Sequence, residues 1–126
     1  MGVPLHVENW FAGWSLILAG FCSGAGIGLF FHREQFLGGY ASLRRRMVRL
    51  GHIALVALGA LNILFSCTVP ISRASDIAST LWIVGGVTMP LVCFFTAWKT
   101  SFRHLFFIPV LCLLSAVVLI LIGGAS

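Results

Sequence analysis

The chain has 126 residues, 60% of them hydrophobic and only 9% charged, with a formal net charge of +5 and a mean hydropathy of +1.06. Soluble domains carry about 25% charged residues, so this composition has no polar shell with which to cover a soluble core. About 20 apolar residues cross the hydrocarbon of a bilayer, and four such runs occur, over residues 10–31, 49–68, 77–98 and 102–122. They fill most of residues 1–126, exclude a separate soluble domain, and predict an integral membrane protein: an all-α, four-transmembrane-helix, up-down bundle.

The opening segment, MGVPLHVENW, has no basic region of the kind that starts a signal peptide. Glu8 is its one charged side chain, and His6 is read as a solvent-side residue of the tail. In the first span Gly13, Gly20, Gly24 and Gly28 form one nearly straight stripe. Small residues at this spacing let helix backbones approach closely, the usual basis of helix association in lipid. The stripe is therefore a helix-packing surface, either inside the bundle or toward a homo-oligomer or another membrane subunit. Trp10 and Trp14 suit one membrane interface, and Trp98 beside Lys99 suits the other.

In the first connection, Gly38 and Gly39 break the chain, and Ser42 is placed to cap a helix running through the arginines into the second span. Of the eight Lys and Arg residues, only Arg73 falls in the second connection. Arg33, Arg44, Arg45, Arg46, Arg49, Lys99 and Arg103 fall in or beside the first and third. Short basic loops stay in the cytoplasm, so the expected topology is N-out and C-out, in a bacterial cytoplasmic (inner) membrane. The arginines would face anionic lipids there, and this distribution argues against nucleic acid as the partner.

On the second span, Gly51, His52, Gly59, Asn62 and Ser66 share about a third of the helix circumference, a face that should look into the bundle. In the second connection, Pro70 stops a helix and Ser75 is the expected cap of the next. The third span repeats the pattern with Ser79, Trp82, Gly86, Met89, Cys93 and Thr96. Pro90 has no N–H for the carbonyl of Gly86, which predicts a kink at Gly86 and Pro90 and a freed acceptor for the Asn62 amide. The segment KTSFR reads as a tight hairpin into the fourth span. The four cysteines form no CxxC or loop pair and read as structural thiols.

One constellation has the residue types for chemistry. His52 and His104 lie at similar expected depth near the basic end, where two imidazoles would ligate a haem iron as its metal ligands. Arg46, Arg49 and Arg103 would pair with the propionates, and Met89 is a weaker, deeper ligand. No nucleophile–base pair, metal triad or phosphate-cradling loop is present, and the spans hold no carboxylate of the kind that proton-coupled transporters use. Three readings follow. The leading one is a non-catalytic accessory or assembly subunit of a larger membrane complex. The second is a haem b or quinone redox module on His52 and His104. The third is a small-solute channel or carrier using Asn62, Gly86 and Pro90.

Overall fold

The structure, a computed structural model, describes residues 2–124. It contains four long helices, α1 (Val7–Phe30), α2 (Leu43–Thr68), α3 (Arg73–Trp98) and α4 (Phe107–Gly124), with short 3-10 helices at Phe36–Gly38 and Thr100–Phe106. Among the described residues there is no strand. All four helical segments are long and apolar enough to cross a membrane, the fourth counted from Thr100. The chain is an integral membrane protein by this measure, and its helices form a bundle.

Local chemistry explains where each helix begins. α2 starts within the arginine cluster because Ser42 caps it, its side chain accepting from the Arg45 amide at 3.2 Å. For α3 the cap is Ser72, not Ser75. Ser72 Oγ accepts from the Ser75 amide at 3.1 Å while Ser75 Oγ accepts from the Ser72 amide at 2.7 Å, so the expected cap is instead the second half of a reciprocal pair. The KTSFR segment is no simple hairpin: it opens a 3-10 helix that reaches Phe106 before α4 begins. α3 runs unbroken across Pro90, which is fully buried.

Consecutive helices are antiparallel, and small residues set their separation. A Cβ on Gly13 would lie 2.6 Å from the Gly59 carbonyl oxygen, and one on Gly20 would lie 2.6 Å from Val56. Between α2 and α3, Gly51 faces Phe94 and Cys93, and between α3 and α4, Gly85 faces Leu113. α1 also touches α3, whereas α4 packs on α3 with no substantial contact to α1 or α2. That flank position suits its sequence. Its buried residues are Pro109 and Ala116, Leu113, Leu119 and Ile120 pack against the bundle, and the remaining surface is largely aliphatic, which lipid solvates as well as protein would.

Candidate functional site

Between α1 and α2 the chain reverses through three consecutive residues with positive φ: Leu37 at 55°, Gly38 at 86° and Gly39 at 95°. Glycine accepts this conformation freely, but leucine does so at a cost of roughly 1–2 kcal/mol. A hydrogen bond from Ser42 Oγ to the Leu37 carbonyl, at 2.5 Å, helps to hold it there. The same hydroxyl oxygen caps α2, so the turn and the helix start are fixed together.

This reversal builds a pocket for Arg45, whose side chain is fully buried. Its Nη2 donates to the Phe31 carbonyl and its Nη1 donates to the Arg33 carbonyl at 3.1 Å. The guanidinium carbon lies 3.9 Å from the Tyr40 ring centroid and 4.4 Å from that of Phe31. Carbonyl dipoles and two aromatic faces therefore solvate the charge. Among the described residues no carboxylate neutralises it, and its Nε has no hydrogen-bond partner.

Beside this arginine lies an open groove of about 480 Å³. Gly24, Ile27 and Gly28 of α1, with Phe31 just beyond its end, give it an apolar wall, and Arg45, Arg49 and His52 of α2 supply its polar side. Arg49 is exposed. His52 packs so closely on α1 that a Cβ on Gly24 would lie 2.6 Å from its Cε1. Ser23 Oγ gives its proton to the Gly20 carbonyl at 2.9 Å, so toward His52 Nδ1, 3.4 Å away, it offers a lone pair. The imidazole that fits this arrangement is protonated at Nδ1 and presents an acceptor at Nε2.

The groove thus joins Arg49 and His52 with Gly24 and Gly28, but the other expected ligands lie elsewhere. His104 and Arg103 are exposed and line a separate shallow depression with Thr100 and Ser101. Arg46 is exposed outside the groove lining, and Met89 is half-buried on α3. His52 also turns toward α1 and not toward Thr96. Neighbouring residues on a helix diverge by about 100°, and Gly51 already occupies the direction of α3.

A second polar locus, fully buried, joins α1, α2 and α3. Asn9 Nδ2 donates to Asn62 Oδ1 at 2.9 Å and to the Ser79 carbonyl at 3.4 Å, and Ser79 Oγ donates to Asn9 Oδ1. Asn62 Nδ2 donates to the Leu58 carbonyl at 2.9 Å, where the expected acceptor was the Gly86 carbonyl. One helical turn back, Leu58 is nearer to hand than another helix. The amide still packs on Gly86, 2.9 Å from where a Cβ would stand. His6 is not a solvent-side residue. It is 7% exposed, its ring lies 4.8 Å from that of Phe65, and its amide donates to the Ser66 carbonyl at 3.2 Å.

Comparison with known proteins adds no relative: no family model, no curated protein and no solved structure matches the chain. What the groove can do follows from its own chemistry. The groove offers an apolar wall, the exposed guanidinium of Arg49 and, behind it, the buried charge of Arg45. Arg45 and Tyr40, which make that end of the groove, were not singled out by residue pattern as site residues. The aromatic residues flanking the arginine run, Phe31 and Tyr40, were the available signal.

Proposed function

We propose that this chain is a non-catalytic component of a bacterial inner membrane that binds an acidic-headgroup lipid in the groove between α1 and α2. The observation that supports this reading is Arg45, a buried cation with no acidic partner among the described residues, bordering an apolar groove that opens beside Arg49. The acyl chain would lie along Gly24, Ile27 and Gly28, and the phosphate would take charge-assisted bonds from the exposed Arg49, with the buried Arg45 adding its positive charge from behind the groove wall. In this reading both termini lie outside, the groove faces the cytoplasm, and α3 bends at Gly86 and Pro90. Service as an accessory subunit would use surfaces other than Gly13, Gly20 and Gly24, which α2 already covers.

One observation favours the redox alternative. In the tautomer protonated at Nδ1, which the Ser23 contact at 3.4 Å suits, His52 would present Nε2 as a ligand for a haem iron or an acceptor for a quinol proton. His104 would then have to be replaced as the second ligand, since it lines a different surface.

A single preparation in mild detergent tests both. Acidic phospholipid is expected to co-purify with the wild type, and Arg49→Gln should reduce it roughly tenfold, the worth of one charge-assisted contact. Arg46→Gln, off the groove, should leave it unchanged. Equal retention in wild type and Arg49→Gln would overturn the lipid reading. A Soret band that disappears in His52→Ala would install the haem reading in its place.

A further inference from the structure

The groove beside Arg49 does not end at His52. A further depression of about 390 Å³, lined by Phe21, Ile53, Val56 and Ala57, shares the His52 ring with it. Gly24 and His52 meet on the line of contact between α1 and α2. At about 100° per residue, Phe21 and Gly28 turn away from Gly24 in the same sense as Arg49, Ile53 and Ala57 turn from His52. In antiparallel neighbours a common sense of rotation puts all five on one face of the seam. The two depressions are therefore one furrow, which starts at Arg49, crosses the His52 ring and continues over apolar side chains.

The ring stands across this furrow. A Cβ on Gly24 would lie 2.6 Å from Cε1 and 3.2 Å from each ring nitrogen, so Cε1 points at α1 with a nitrogen to either side. Ser23, which turns from Gly24 in the opposite sense, lies 3.4 Å from Nδ1, and Nε2 accordingly faces the furrow. Nε2 has no hydrogen bond within the chain and is not enclosed as Arg45 Nε is. With the Nδ1 proton directed at the Ser23 lone pair, Nε2 is an acceptor. A lipid lying here meets an anion site at Arg49, one acceptor about 4.5 Å deeper along α2, and beyond it only apolar groups. An ester carbonyl at that depth would set acceptor against acceptor, whereas a hydroxyl would donate.

We propose that the furrow takes a one-chain glycerol phosphate lipid. Its phosphate would sit on Arg49, the free hydroxyl on the next carbon but one would donate to His52 Nε2, and its acyl chain would pass Phe21 toward Ala57. This inference rests on the acidic-lipid reading above and narrows it, because a diacyl phospholipid carries an ester where the hydroxyl is needed. The full chain in a sugar-based detergent is given 1-oleoylglycerol 3-phosphate, its 2-deoxy form or dioleoyl phosphatidate at equal mole fraction, and bound lipid is counted by native mass spectrometry. The hydroxyl-bearing lipid is expected to bind roughly fivefold more tightly than the other two, the worth of one hydrogen bond. His52→Phe keeps a ring against Gly24 and should bring that lipid down to the level of its deoxy form. Arg49→Gln should weaken all three. If the wild type binds the deoxy or the diacyl lipid as tightly as the hydroxyl-bearing one, or if the preference survives in His52→Phe, this inference falls while the Arg49 effect upholds the broader reading. Undiminished binding of all three by Arg49→Gln, or no saturable binding, would overturn both.

Discussion

Asn9 ties together three helices with a single side chain. Its amide donates to Asn62 and to the Ser79 backbone, and its carbonyl accepts from the Ser79 hydroxyl. In hydrocarbon no water replaces a lost partner, although helix–helix hydrogen bonds measured in membranes contribute only about 0.6 kcal/mol on average. Asn9→Ala removes three such contacts and strands the Asn62 oxygen. The expected loss is about 1–2 kcal/mol of unfolding free energy, read from SDS titration of the protein in mixed micelles. A change indistinguishable from zero would mean that Asn62 and Ser79 find each other without it. Asn62 was legible from sequence because it interrupts an aliphatic helix on a face shared with glycines. Asn9 was not, because it follows Glu8 and precedes the first tryptophan, where a polar residue reads as tail. His6 escaped for the same reason. Its burial depends on backbone bonds from Leu5 and His6 to the Ser66 carbonyl at the far end of α2, which no local pattern announces.

Glycine spacing marks a face of α1 but cannot say what lies against each part of it. Gly13 and Gly59 approach each other backbone to backbone: a Cβ on either would lie within 2.7 Å of the other's carbonyl oxygen. By Gly24 the neighbour is the His52 ring, and at Gly28 nothing lies within 4 Å. The helices diverge toward the arginine end, and that divergence opens the groove. Periodicity in one helix records a face, whereas divergence is a property of two. Gly13→Ala must push rigid backbone apart and is expected to cost about 1–3 kcal/mol. Gly28→Ala meets open space and should be neutral or stabilising, by up to about 1 kcal/mol, through helix propensity. Thermal unfolding of both variants in one detergent makes the comparison. Equal destabilisation would mean that α1 and α2 stay close-packed as far as Gly28.

Across the molecule, charge is segregated more sharply than any other property. Seven of the eight Lys and Arg residues lie toward the end where α1 meets α2 and α3 meets α4. Glu8 and Asp76 sit at the other end, on a cavity that His6 also lines. The asymmetry was fully legible in the sequence. What was not legible is that the arginines differ in kind: Arg45 is buried and holds the first connection, while Arg33, Arg44 and Arg46 are exposed. The side chains of the exposed group do not hold the turn at Leu37, so the proposed orientation can be tested without disturbing it. In a background with Cys22 and Cys67 replaced by serine, a cysteine at Ile71, which is 66% exposed, should react with an impermeant maleimide on intact cells. A cysteine at Gln35 should react only after permeabilisation. Substituting Arg33, Arg44, Arg46 and Arg103 together by alanine should make a share of the molecules label at both positions from outside. Labelling of Gln35→Cys on intact cells before any arginine is removed would invert the proposed orientation and place the groove on the outer face.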